Sequence, residues 1–509
     1  MAFGDTGVSP SYKVPKFIAK IIFASGLVSA ANSESAVLCV GMKTSAGSMT
    51  ANASPVGPVT SKEEIDAYAG VGSQLARMGY AALRIAAARG VPLYLQAVSE
   101  PAGTAATATI TIGGTWSSAG ELVFRFAGQQ VSVAVASGDT TTQVATAVAA
   151  AFNKYSALPA TAGSAAAVAT LTCRNIGASQ RDWILYYRPD LSTVPAGLTV
   201  TLAGSATVNT TGVRFGASGS GTGTEDVTTC LTFLTSKRYA RIACGQNDAT
   251  NAALWETQVN TNAAPLSLLL EHMVFGHNGT TSAAISLAQT TLNAFLGQVV
   301  YHRNSEAHPA EIAAVNAALR AATEGTNPVP DYDNVELEGV PPQAFPADLL
   351  SDAEQNTLLN AGVTPVHTVN GTSRIVRAIT TYCLNGAAQD ERCLDIGDAV
   401  MPDYVTLDLR AVYESSFRRA NPLVRPDPAP EEKEPPTGIG YPKLWNSQVA
   451  ARVESIYYAN GWVSSLPTGV WAPKATFNTT GKYIMCELPL DVSRVQHRLD
   501  QVVRQVSNS

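Results

Sequence analysis

The chain has 509 residues, of which 46% are hydrophobic and only 15% are charged, against roughly 25% charged in an average soluble chain. Its formal net charge of −6 excludes a nucleic-acid binder that works through bulk positive charge. The length excludes a small staple-dependent scaffold and fits two to four domains of about 150 residues. A large, weakly charged surface rich in Ala, Thr, Ser, Gly and Asn suits a subunit that buries much of itself against its own copies.

Residues 1–35 read as an arm. They carry no basic n-region, so no signal peptide is expected. The apolar stretch 17–31 is broken by Lys20 and Gly26 and is too short to span a bilayer. Lys16, Phe17, Ile18, Ile21, Ile22 and Phe23 form an extended run suited to adding a strand to another sheet. An α/β pattern begins at Ala36, with a buried strand over 36–41. Ser61 and Glu64 form a capping box that opens a short helix. A second helix spans 72–89, with Leu75, Met78, Ala82 and Ile85 on one face and Gly90 as its stop. A strand over 91–95 follows.

From 101 to 216 the composition turns to Thr, Ala, Gly and Val. Short strands are expected at 109–112, 122–126, 131–135, 167–173, 182–187 and 198–202, with one helix at 141–155. This predicts a mainly β domain inserted into the α/β core. The Gly-rich run 216–224 reads as a flexible return linker. Helices at 226–235, 249–261, 282–296 and 309–323 then alternate with strands at 239–244, 266–275 and 298–302. Such alternation implies a parallel sheet covered on both faces.

Beyond a Pro- and acid-rich loop at 325–346, Ser351 and Glu354 cap another helix that ends at Gly362. Strands at 364–369 and 374–380 turn at Asn370-Gly371. Helices at 404–419 and 444–460 flank a charged, Pro-rich linker. The chain closes with an isolated strand at 482–490 and a helix at 492–506. The domains read as an arm (1–35), an α/β core (36–100 and 217–345), an inserted β-rich domain (101–216), an α+β C-terminal domain (346–480) and a C-terminal arm (481–509).

Catalytic constellations are faint. Asp5-Thr6-Gly7 matches the aspartic protease tripeptide, but it occurs once and turn chemistry explains it. His277, Ser373 and Asp5 echo a subtilisin triad, which requires nucleophile, base and orienter in contact. His272 and His277 are five apart and do not share a helix face. No Walker A loop is present. The seven cysteines include no C-x-x-C pair, so zinc has little support, and no cofactor is expected. Buried reduced thiols and cross-links to a neighbour both remain open for them.

Gly339-Val340-Pro341-Pro342, the 351–359 helix with Leu358-Leu359, Gly362-Val363, and the strand ending Ile379-Thr380-Thr381-Tyr382 are collinear segments that resemble those of Mu-like contractile phage tail sheath proteins. Gly72-Ser73-Gln74-Leu75-Ala76-Arg77-Met78, Ala127-Gly128-Gln129-Gln130-Val131 and the helix from Asp403-Tyr404 to Arg419 extend the match over most of the chain.

The resemblance implies a structural subunit with a subtilisin-like α/β core that lacks a working triad. Such subunits stack as rings, expected to be six-fold, around a tail tube and contract to drive it through an envelope. The implied partners are further copies of the chain, the tail tube protein, and baseplate and tail terminator proteins, with no nucleic acid and no membrane insertion. The implied location is the virion tail, assembled in the host bacterial cytoplasm.

Arms of the family complete a sheet shared between subunits. That assigns inter-subunit strands to Lys16–Phe23 and to Tyr483, Ile484, Met485, Cys486, Glu487 and Leu488. Tube-facing candidates by the same analogy are Arg418, Arg419, Arg494, Arg498 and Arg504. Cys486 and Cys39 are candidates for an inter-subunit disulfide. Another self-assembling structural protein, or a hydrolase on the α/β core, are the alternative readings.

Overall fold

A computed structural model describes residues 35–432 and 435–495. Eight strands form the principal sheet. Their order is Thr372–Ile375, Val363–Val369, Gly297–Tyr301, His272–His277, Arg241–Cys244, Val37–Met42, Leu93–Val98 and Val56–Val59. The six inner strands pair in parallel, and only the two edge strands run antiparallel to their neighbours. Val37–Met42 and Arg241–Cys244 are buried along their whole length, as continuous apolar strands covered on both faces should be. The chain steps from Val37–Met42 to Leu93–Val98 on one side and later fills the other side from Arg241–Cys244 outward. The strand order therefore reverses between Val37–Met42 and Arg241–Cys244, which makes a topological switch point.

The covering helices form where local signals say they should. The helix Gln74–Arg89 is capped by Ser73, whose side chain accepts from Ala76 N–H, and stops at a left-handed Gly90. Helix Pro309–Glu324 starts with proline at its first position and is buried almost throughout. Its alanines let it pack closely on the sheet beside Gln74–Arg89, which also lies on the sheet. Asn370 and Gly371 both have positive φ, the backbone of a two-residue hairpin turn.

Residues 105–214 build two antiparallel sheets. One has the order Leu198–Ala203, Ala105–Gly114, Val168–Ile176, Ala160–Ala165. The other has the order Ala206–Val208, Gly212–Arg214, Ile184–Tyr187, Gly120–Phe126, Gln129–Val135. Their core includes Phe124, Phe126, Phe152, Trp183 and Phe215. Phe126 and Phe215 stack at 5.1 Å between ring centroids.

The run 216–224 is not a flexible linker. Thr222 N–H donates to Thr104 O, Ser220 N–H donates to Ala217 O, and Arg181 donates to the carbonyls of Gly219 and Ser220. Gly216, Gly219, Gly221 and Gly223 have positive φ, so these glycines serve a folded turn rather than freedom of motion.

Residues 327–333 and the described residues from Ile396 onward form a second compact unit. In it, helix Ile396–Val412 continues through a π-helical turn, Tyr413–Phe417, to Arg418–Ala420. Helix Pro442–Arg452 likewise continues as the π-helical Val453–Tyr458. The expected boundary at 346 is therefore displaced. Val363–Val369 pairs in parallel with Gly297–Tyr301 as part of the principal sheet, and the Pro-rich loop before it only resembles a linker.

Other expectations change too. The helix expected at 226–235 contracts to Thr228–Leu231, and the strand expected at 266–275 is confined to His272–His277. The strand expected at 374–380 ends at Ile375. Residues 492–495 are not helical, and Val492 bridges to Val463; residues 496–506 lie outside the described residues. The terminal strand is not isolated. Tyr483–Glu487 pairs antiparallel with Lys474–Asn478 of the same chain.

Candidate functional site

The catalytic echoes do not converge. Ser373 is buried on an edge strand, and its hydroxyl donates to Pro341 O at 3.0 Å. His277 ends a strand with two others between it and Ser373, a separation of about 14 Å at ordinary strand spacing. Its Nδ1 accepts from Gly279 N–H at 3.1 Å, and its ring packs against Tyr301. Asp5 lies outside the described residues. Among the described residues no cluster of three His, Cys, Asp or Glu could hold a metal ion. No helix among them is long and apolar enough to cross a membrane.

The concentrated electrostatics lie under the sheet instead. Glu324 receives Arg241 Nε and, at 2.6 Å, Arg320 Nε. Arg320 also donates to Gln298 Oε1 at 3.1 Å and faces His272 Nδ1 at 3.2 Å. Asn316 donates to Gln298 Oε1 at 2.6 Å, and Gln298 donates to Thr364 Oγ1. All of these residues are buried. Burial first, and then the guanidiniums of Arg241, Arg320 and Arg238, hold His272 well below its ordinary pKa. A neutral imidazole suits a ring that accepts from Arg320.

The framework joins four parallel strands to Pro309–Glu324 and exposes no reactive atom. Sequence reading missed it, although Asn316, Arg320 and Glu324 recur every four residues on an otherwise apolar helix, a polar stripe on one face.

In the second unit, the residues expected to contact neighbours are mixed in placement. Tyr483, Ile484, Met485, Cys486 and Glu487 form the last strand of the hairpin, and Leu488 follows it. The hairpin is a two-stranded sheet, so this strand keeps one edge without a strand partner among the described residues. Arg418 and Arg419 are exposed at a helix end. Arg494 reaches Asp398 at 3.8 Å. Lys16, Phe17, Ile18, Ile21, Ile22 and Phe23, with Arg498 and Arg504, lie outside the described residues.

Cys486 is exposed, whereas Cys39 is fully buried in the central strand Val37–Met42 and cannot meet a neighbour's thiol in this fold. Burial pushes the Cys39 thiol up to about 12. The two helices of the unit are tied by Asp408. Its carboxylate receives both Arg452 nitrogens and, at 2.7 Å, the hydroxyl of the buried Tyr457. Leu423 and Val470 stand 65% and 72% exposed.

The architecture defines a mixed α/β protein built on a largely parallel sheet, with antiparallel sheets formed by residues 105–214. No family model matches the chain. It is similar to the Mu-like prophage FluMu tail sheath protein of Haemophilus influenzae, with 26% identity over 393 residues covering 75% of each protein. The resemblance to Mu-like tail sheath proteins read from its motifs is thus matched by a relative that bears that name. Two solved sheath tail proteins are also similar. That of Desulfitobacterium hafniense gives a TM-score of 0.47 at 12% identity, over 95% of this chain and 98% of that one. That of Listeria innocua gives 0.46 at 10% identity, over 91% and 93%.

Proposed function

We propose that the protein is a structural subunit of a contractile tail sheath. The observation that carries this is the similarity to the Haemophilus influenzae sheath protein across three quarters of both chains. The subunit polymerises with its own copies as stacked rings around a tail tube, with six-fold symmetry, and meets baseplate and tail terminator proteins at the ends. It resides in the virion tail and is assembled in the host bacterial cytoplasm.

It is not an enzyme. Its α/β core is read as subtilisin-like in layout with no working triad, which agrees with a Ser373 hydroxyl committed to Pro341. Contraction draws on free energy stored in the lattice as the extended form assembles, so no nucleotide is needed.

The segments 16–23 and 483–488 are read as the strands exchanged between subunits. Strand addition supplies backbone hydrogen bonds that survive rigid-body rotation of the domains they tether. Among the described residues one edge of Tyr483–Glu487 has no strand partner, which supports this reading. Arg418, Arg419 and Arg494, with Arg498 and Arg504, are read as facing an acidic tube.

Purified protein mixed with its tube protein is expected to form hollow, striated tubes in negative stain, and variants lacking 1–24 or 482–509 to form none. A full-length chain that stays monomeric with the tube protein overturns the function. Normal tubes from both truncations overturn the strand exchange alone.

A further inference from the structure

Parallel sheets of this topology take their ligands in the crevice at the carboxyl ends of the strands, where the strand order reverses. Here that crevice lies beyond Met42 and Gly245, between Val37–Met42 and Arg241–Cys244. The helix Gln74–Arg89 begins there, and the N–H groups of a helix start bind anions in many α/β proteins.

The crevice is already filled, and the residue that fills it comes from the inserted sheets. Asn175 lies on the strand Val168–Ile176 and is 1% exposed. Its Oδ1 accepts from Gln74 N–H, at the first helical position, at 2.8 Å. Its Nδ2 donates to Lys43 O at 2.9 Å and to Glu100 Oε1 at 2.7 Å.

Behind it, Gln74 ties the two strand ends together. Its Oε1 accepts from Met42 N–H at 2.9 Å, and its Nε2 donates to Gly245 O at 3.2 Å. The strand ends leave no spare room. A Cβ added at Gly41 would stand 2.8 Å from Met78 Sδ, and one at Gly245 would stand 2.5 Å from Val40 O.

The connection between core and insert is closed as tightly. Ala178 N–H donates to Gly223 O at 2.7 Å, and a Cβ at Gly103 would lie 1.9 Å from Thr222 O. Thr104 and Thr222 pair through both backbone and side chain.

We propose that Asn175 acts as an internal ligand: its carboxamide occupies the switch-point crevice that a bound ligand takes in other sheets of this kind, and so locks the insert and the α/β core into one mechanical body. A residue with three directed hydrogen bonds at a helix start is a positioning residue, and its removal frees the helix start before it unfolds the sheet.

The test is hydrogen exchange on the full chain carrying Asn175→Ala. The Gln74 amide should exchange at least about tenfold faster than in the parent, and added acetamide, which supplies the missing carboxamide, should slow it again in the variant but not in the parent. Asn153→Ala, which breaks a contact to Ala162 inside the insert, should leave Gln74 unchanged. Unchanged exchange in Asn175→Ala would overturn the proposal, as would acceleration that acetamide does not reverse.

Should Asn175→Ala fail to fold, Asn175→Asp keeps the acceptor for Gln74 and removes both donors. Faster proteolysis within 99–104 than in the parent then supports the lock, and an equal rate overturns it.

Discussion

His302 offers a sharp physical test, because it is buried and neither ring nitrogen has a hydrogen-bond partner among the described residues. Burial pulls its pKa from 6.5 down to about 3. Between pH 7 and pH 5 the unfolded chain takes up this proton and the folded chain does not. The unfolded state binds more protons, so stability falls as pH falls. Integrating the two titrations over that interval gives a loss of about 2 kcal/mol from this one residue.

His302→Leu removes the titration at nearly constant volume. Urea unfolding followed by tryptophan fluorescence should show the variant losing about 2 kcal/mol less than the parent between pH 7 and pH 5. Glu271 works in the opposite direction. Burial raises it to about 7 against hydrogen bonds from Tyr239 N–H and Asn262 and the charge of Arg238. Its folded form therefore binds the proton more readily. Its contribution is present at low pH and is lost as pH rises through about 7. Glu271→Gln should remove an acid-side gain of about 2 kcal/mol over the same interval. Equal pH dependence in the parent and both variants would refute the assignment of these buried states.

Glu324→Ala leaves Arg241 and Arg320 without their shared carboxylate and should cost about 3–5 kcal/mol in the same urea assay. Replacing Arg241, Arg320 and Glu324 together by apolar residues of similar volume should be neutral or stabilising. Asp408→Ala removes the acceptor of both Arg452 and Tyr457 and should cost about 1.5–3 kcal/mol, read by calorimetry. Non-reducing electrophoresis of assembled particles should give a dimer band that Cys486→Ser abolishes and Cys39→Ser leaves intact; monomer alone would remove Cys486 as a cross-link.

The α/β core was legible because its signals are local and periodic. Ser61, Gly90, Pro309, Ser351 and Asn370-Gly371 each mark a helix or hairpin boundary that the fold uses. What was misread depends on tertiary partners. The glycines of 216–223 look the same in sequence whether they loosen a linker or permit a tight turn, and only Arg181 and Thr104 decide between these. The Pro-rich loop before Ser351 hid the fact that Val363–Val369 continues the principal sheet. Lys474–Asn478 was missed as the partner of Tyr483–Glu487 because its Lys-Ala-Thr-Phe-Asn sequence alternates weakly. The Arg241–Glu324–Arg320 framework escaped because charged residues in helices ordinarily face solvent.

Antibody raised against this chain, with gold detection on particles imaged before and after contraction, tests most directly whether it forms the contracting outer layer of a tail. Label is expected along the whole outer sheath, over a zone that shortens and widens when the tail contracts. Label on the inner tube, at the baseplate alone, or over a zone of constant length would contradict a sheath role.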